Sequence, residues 1–262
     1  MDFTYMKYER KGNAFLLTFT NPETMNSLNS DALIEFSAML SEISELAEKD
    51  RTVRSLILTG EGRAFIAGAD IKEMSPMTAV EACEFSRFGN SVMKQLEHMR
   101  LPVVAAVNGF ALGGGLETVL ACDFAYISKK ARLGLPEATL GIIPGFGGNK
   151  RLTDRIGKAA AKELIYTGRM IDASEALRLG IANKVCEPDS LLDDVLALSE
   201  EMEKTSPNSI LEVKELLNLC CDNDPGAMIA IETNKFGLVF SHPDGVEGKN
   251  AFLEKRKPEW RK

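Results

Sequence analysis

The run "VVAAV", Val103–Val107, offers no polar side chain to solvent on either face, so it reads as a strand buried inside a sheet. Pro102 ends the helical pattern before it, and a glycine-rich stretch, "NGFALGGGLETVLACD", Asn108 to Asp123, follows. Strand, glycines, then a segment able to begin a helix: this order belongs to an α/β chain. It also lets backbone N–H groups face a ligand with no side chain in the way.

The residues before this run alternate in the same way. "AFLLTFT" (14–20) and "RSLILTG" (54–60) are short β-prone runs closed by turn residues. Between them Leu33, Phe36, Leu40, Ile43 and Ala47 recur at three- and four-residue steps, with Ser30 and Asp31 suited to the helix start. Phe85, Val92, Leu96 and Met99 mark a second helix. "TGEGRAFIAGADIKEM" (59–74) repeats the sequence of strand, glycines and helix-like segment. Two such loops could each present one N–H to a single oxygen, forming an oxyanion hole.

After Gly148 the chain turns helical. "KAAAKELIYTG" and "DASEALRLG" each close at a glycine able to act as a left-handed cap. Three further helical stretches begin at Ser190, Pro207 and Pro225, and the tail "FLEKRKPEWRK" is basic. The expected layout is an α/β body over 1–200 and a helical region over 201–262. That region's apolar stripe needs cover, from its own body or from another subunit.

At 262 residues the chain can bury a substantial core. A net charge of -7 gives no basic field for nucleic acid, and no apolar run reaches the roughly 18 residues of a membrane span. The N-terminus lacks the apolar core of a signal peptide. Cys83, Cys122, Cys186, Cys220 and Cys221 share no metal-ligand spacing, which suits a reduced cytoplasmic protein. His98 and His242 are the only histidines, and there is no G-x-S-x-G elbow, so triad or zinc chemistry is a poor fit. Neither the dinucleotide fingerprint nor the phosphate-binding P-loop has its spacing here.

Two acids stand out. Glu117 lies among Leu116, Val119 and Leu120, and Glu137 among Leu133, Leu135, Pro136 and Leu140. Acids are seldom buried unless paired or functional. Alone, Glu117 reads as a helix-start acid and Glu137 as a surface turn residue. Beside two candidate oxyanion loops, the pair gains a catalytic reading.

Five segments in order carry a resemblance: "NPETMNSLN", "AFIAGADIKEM", "PVVAAVNGFALGGGLE", "LGLPEATLGIIPGFGG" and "FLEKRKPEW". Across nearly the whole chain the sequence resembles the enoyl-CoA hydratase/isomerase (crotonase) superfamily. The resemblance implies a crotonase-like spiral of ββα units, with a C-terminal helical region for trimers and hexamers built as dimers of trimers. It implies Glu117 and Glu137 as catalytic acids and the backbone N–H groups of Ala69 and Gly114 as the oxyanion hole. Ala67, Ala69, Asp70, Ile71, Lys72 and Gly114 would line the CoA thioester site, with Phe252 and Lys255 of the tail nearby.

Both acids being present points to a hydratase, adding water across a trans-2-enoyl-CoA with no metal or cofactor, CoA being part of the substrate. An isomerase, an acyl-CoA hydrolase, or a non-catalytic CoA- or RNA-binding member are the alternatives. Leu116, Leu135 and "GGNKRL" depart from the family's common pattern, a difference expected to touch pocket shape. Phe85, Phe88 and the segment after Met74 are expected in the acyl wall.

Overall fold

The computed structural model describes residues 3–220 and 222–260. An antiparallel hairpin, β1 (Met6–Lys11) and β2 (Ala14–Phe19), precedes helix α1 (Ser30–Lys49). Three ββα units follow. The first is β3 (Ser55–Gly60), β4 (Ala64–Ala67), the short α2 (Ile71–Met74) and α3 (Ala79–Glu97). The second is β5 (Val103–Val107), β6 (Phe110–Leu112) and α4 (Gly114–Leu120). The third is β7 (Phe124–Ser128), β8 (Arg132–Gly134), a 3-10 turn over Pro136–Leu140, then α5 (Gly148–Ile156) and α6 (Lys158–Thr167). After β9 (Ile171–Asp172), α7 (Ala173–Arg178) and β10 (Lys184–Cys186) come α8 (Leu191–Met202), α9 (Pro207–Leu219), α10 (Pro225–Ser241) and α11 (Pro243–Leu253).

In each unit the first strand joins one sheet and the second joins another. The larger sheet runs β1-β2-β3-β5-β7-β10 and the smaller β4-β6-β8-β9. The central strands β2, β3 and β5 of the larger sheet are covered on both faces, as the unbroken apolar run at Val103–Val107 requires. Alternate residues serve two cores. Leu17, Leu56, Leu58, Val103, Ala105 and Val107 pack with α1 and α3. Leu16, Ile57, Val104 and Ala106 pack with Leu191 and Val195 of α8. The period-2 geometry of a strand thus divides one apolar run between two layers.

Leu33, Phe36, Leu40 and Ile43 are buried on α1 as their spacing demands, and Phe85, Val92 and Leu96 on α3. Ser30 and Asp31 do start α1. Asn29 is the cap, its side chain accepting from Ala32 N at 2.7 Å; Asp31 sits in the first turn facing the helix dipole. The strands β4, β6 and β8 escaped the pattern reading because runs of three or four residues show no period. Helix α11 was likewise hidden in the tail.

Those short strands position the site. In parallel register, Ala67 is the Cα partner of Leu112, and Leu112 of Gly134. The loops after β4, β6 and β8 therefore leave the smaller sheet at one level, side by side.

Among the C-terminal helices, α9 is anchored by Lys214. Its buried ammonium donates to Leu101 O (2.8 Å) and to Asp123 Oδ2 (2.7 Å). Helix α10, by contrast, has no buried residue. Cys221, Lys262 and Arg261, part of the sequence reading of this region, lie outside the described residues.

Candidate active site

The three loops enclose a cavity of about 870 Å³ with both acids in its wall. Also lining it are Ala67, Gly68, Ala69 and Ile71 from the first loop, Gly113 and Gly114 from the second, and Ile142–Gly147 from the third. Helix α3 supplies another wall through Ala82, Cys83, Phe85, Ser86 and Asn90.

Glycine makes the close approaches possible. Gly113 has φ +51 and ψ −122, and a Cβ there would lie 3.0 Å from Glu137 Oε1 and 3.5 Å from Gly68 Cα. Gly115 sits so near the Ile66 carbonyl that no side chain fits, which lets α4 press on β4. All seven residues of α4 are buried, Glu117 among them at 1 % exposed.

Glu117 Oε1 accepts from Phe146 N (2.8 Å) and Gly148 N (2.7 Å). Burial pushes its pKa up to about 7, against the pull of these two donors and with help from the nearby Glu137 charge. Glu137, half-buried on the 3-10 turn, is also raised by burial, and its buried Oε2 has no partner. A buried carboxylate oxygen without a donor favours the protonated form.

The backbone geometry of the first two loops fixes where one N–H group in each is directed. Leu28 bridges the first loop by donating to Gly68 O (2.9 Å) and accepting from Asp70 N (2.9 Å). In such a parallel bridge the N–H of the intervening residue, Ala69, faces away from Leu28, and Ala69 lines the cavity. Gly114 is the first residue of α4, where a helix leaves its N–H unpaired.

The other expected contacts divide. Ala67, Ala69, Ile71 and Gly114 line the cavity; Asp70 does not, and instead caps α2 by accepting from Lys72 N at 2.8 Å. Lys72 is exposed outside the lining. Phe252, 82 % exposed, and Lys255 are likewise not in this chain's own cavity wall. Phe85 and Met74 line it, but Phe88 does not. Leu116 and Leu135 are fully buried in the core and shape no pocket wall, correcting the expectation, whereas Asn149 and Lys150 of "GGNKRL" do line it.

One residue went unremarked in the sequence beyond its place in "NPETMNSLN". Asn26, buried at φ +59, donates from Nδ2 to Ala64 O (2.9 Å) and Phe65 O (3.2 Å), while Met25 O accepts from Ala67 N (3.0 Å). The Met25–Leu28 segment thereby holds β4 and the Ala69 loop in place. Two successive non-glycine residues with positive φ leave no mark on a sequence pattern.

His98 ends α3 with Nδ1 against Lys94 O, and His242 caps α11, so both histidines serve helix ends. Among the described residues no cluster of three or more His, Cys, Asp or Glu could hold a metal. No helix of the described residues is long and apolar enough to cross a membrane.

A sequence model of the enoyl-CoA hydratase/isomerase family matches residues 9–262. The chain belongs to the enoyl-CoA hydratase/isomerase family. It is 41 % identical to a short-chain-enoyl-CoA hydratase of Clostridium acetobutylicum over 260 residues, 99 % of this chain and 98 % of that one. It is also 41 % identical to a crotonyl-CoA hydratase of Syntrophomonas wolfei, over 95 % of each chain. The crystal structure of an enoyl-CoA hydratase from Bacillus anthracis superposes with a TM-score of 0.91 at 35 % identity, covering 98 % of this chain and 99 % of that one. The fold is thus the mixed α/β crotonase architecture, and two acids at one cavity are the features a member of this family must turn into chemistry.

Proposed function

We propose that the protein is an enoyl-CoA hydratase, catalysing reversible syn addition of water to a trans-2-enoyl-CoA to give a 3-hydroxyacyl-CoA. The observation that carries this reading is the pair of acids, Glu117 buried and Glu137 half-buried, in the wall of one cavity that the Ala69 and Gly114 loops also line. The names of the relatives agree with it.

In this mechanism the thioester oxygen lies between the N–H groups of Ala69 and Gly114. As water adds, negative charge develops on that oxygen, and fixed donors stabilise it more than they stabilise the neutral carbonyl; each donor of this type is worth roughly 10²–10³ in rate. Both acids hold the water. In the free enzyme burial raises both acids. Once substrate fills the cavity, Glu137 loses solvent with no partner on its Oε2, while Glu117 keeps two loop N–H donors on its anion. The proton therefore resides on Glu137. Glu117 accepts a proton from water as oxygen bonds to C3, and Glu137 delivers its proton to C2 on the same face. Proton return from Glu117 to Glu137 resets the pair, which titrates as a unit. CoA belongs to the substrate, and the proposed chemistry needs no cofactor or metal.

The assembly belongs to the same proposal. Helix α10 exposes Ile229, Phe236, Leu238 and Phe240, and α11 ends in exposed Phe252 and Leu253. Apolar surface of this extent calls for a partner. Region 201–262 would meet further copies of the chain in a trimer or hexamer, bringing a neighbour's Phe252 and Lys255 toward the CoA end of each cavity. The free thiols of Cys83, Cys122, Cys186 and Cys220 support a reducing, cytoplasmic setting.

The test follows the loss of crotonyl-CoA conjugation optically for wild type, Glu117→Gln and Glu137→Gln. Turnover by wild type and its collapse in both variants supports the two-acid hydratase. An inert wild type on crotonyl-CoA and on longer, branched and aromatic enoyl-CoAs overturns it.

A further inference from the structure

Glu117 is oriented by a loop, and the loop is itself gripped by side chains of α3 and α5. Every carbonyl from Pro144 to Gly147 has a donor. Pro144 O accepts from Asn149 Nδ2 (2.9 Å), and Gly147 O from Arg151 N (3.0 Å). Phe146 O accepts from Arg151 Nη1 (3.0 Å), whose Nη2 is paired with Glu97 Oε2 (3.0 Å). Gly145 O takes two donors from α3, Ser86 Oγ and Asn90 Nδ2, each at 2.6 Å. With the carbonyls turned outward, the N–H groups of Phe146 and Gly148 turn inward to Glu117.

The Gly145 carbonyl and the Phe146 N–H belong to one peptide unit. Donation into that carbonyl polarises the unit and strengthens the N–H as a donor at its other end. The path Ser86/Asn90 → Gly145–Phe146 peptide → Glu117 is therefore one continuous hydrogen-bond chain.

We propose that Ser86 and Asn90 are positioning residues for the hydration reaction, acting on Glu117 through the Gly145–Phe146 peptide. The inference rests on the hydratase reading above. Its consequence concerns specificity. Ser86 and Asn90 themselves line the cavity, beside Ala82, Cys83 and Phe85 of the same helix. The helix that meets the substrate thus also aligns the acid. A substrate that displaces α3 loosens Glu117, so acyl discrimination is expressed in kcat as well as in KM.

Hydrogen bonds to a carboxylate favour its charged form, so weakening the Phe146 donor raises the Glu117 pKa above its value of about 7. Glu117 acts as base, so the acidic limb of kcat/KM, which reports the free enzyme, moves to higher pH.

The experiment measures kcat and KM for crotonyl-CoA across pH for wild type, Ser86→Ala, Asn90→Leu and Ser86→Thr, with thermal unfolding of each. Expected is a limb shifted upward by roughly half to one pH unit in Ser86→Ala and Asn90→Leu. Activity then falls several-fold more at about pH 6 than at about pH 9, and Ser86→Thr, which keeps the hydroxyl, restores the wild-type limb. An active wild type whose variants lose kcat equally at every pH, or lose only thermal stability, overturns the proposal. A wild type inert on every enoyl-CoA overturns the hydratase reading instead. A separate titration of the Glu117 carboxyl by infrared difference spectroscopy, assigned by its loss in Glu117→Gln, reads the pKa shift without turnover. If Asn90→Leu does not fold, Ser86→Ala decides the question alone.

Discussion

Glu117 stands on a helix with no exposed residue, one carboxylate oxygen held between two N–H donors. Glu137 stands on a 3-10 turn without a buried residue, and its Oε2 is buried with no partner. Burial raises both acids; two N–H donors from the facing loop support the Glu117 anion, whereas Glu137 has only its own backbone N–H and no partner on Oε2. The difference teaches why one cavity can carry two carboxyl groups in unlike roles. In the proposed mechanism the acid held by two loop donors keeps its direction and receives a proton, and the acid with an unpartnered oxygen gives one.

The sharpest way to break this comparison is to neutralise each acid. Glu117→Gln and Glu137→Gln are each expected to lower kcat for crotonyl-CoA hydration by about 10²–10⁴-fold. Steady-state kinetics will check it. Loss in only one variant would turn the reading toward a single-acid isomerisation, visible as double-bond migration without hydration.

The same Glu117→Gln change should raise stability at neutral pH. The folded-state pKa of about 7 exceeds the ordinary value of 4.5, so the native state retains a proton that the unfolded chain releases. Wild-type stability from this group is complete below about pH 4.5 and is lost as pH rises toward 7. The variant, whose amide still accepts from both N–H groups, should therefore gain on the order of 3 kcal/mol at pH 8. Denaturant melts at pH 5 and pH 8 should show the gain growing with pH.

Gly148→Ala tests the donors themselves. A Cβ at Gly148 would stand 2.9 Å from Glu117 Cγ and Oε1, forcing the acid or the loop to move. A loss of roughly 10- to 100-fold in kcat, about 1–3 kcal/mol, is expected with KM little changed. Gly180→Ala, at a glycine outside the cavity with open space around it but positive φ, provides a control for backbone strain alone.

Lys255→Ala should have the smallest effect, a few-fold rise in KM at unchanged kcat, the pattern of a lost uniform contact. Lys255 does not line this chain's own cavity. The effect should therefore vanish in a variant such as Phe236→Glu/Leu238→Glu that dissociates the assembly, checked by light scattering.

Much of the architecture was legible in residue patterns, and for identifiable reasons. Val103–Val107, the α1 stripe and the α3 stripe each repeat over enough residues for burial to leave a period. "AFIA", "FAL" and "RLG" do not, being too short, and they are the strands whose shared register aligns the three loops. Ser30 and Asp31 do start α1, while the cap itself, Asn29, became visible only with the backbone. Lys72 and Asp70 fell within a motif but point elsewhere, one to solvent and one to a helix start.

By itself the sequence determined which segments are buried, where the glycines permit close backbone approach, and that two acids sit in apolar surroundings. Those are properties of neighbouring residues, set by local sterics and by the cost of wetting apolar side chains. Only the tertiary structure decided that Glu117 receives two N–H groups, that Glu137 receives none on Oε2, and that α3 grips the loop behind them. Each of these joins residues far apart in the chain, and long-range hydrogen bonds exist only after the sheets have brought their loops to one edge.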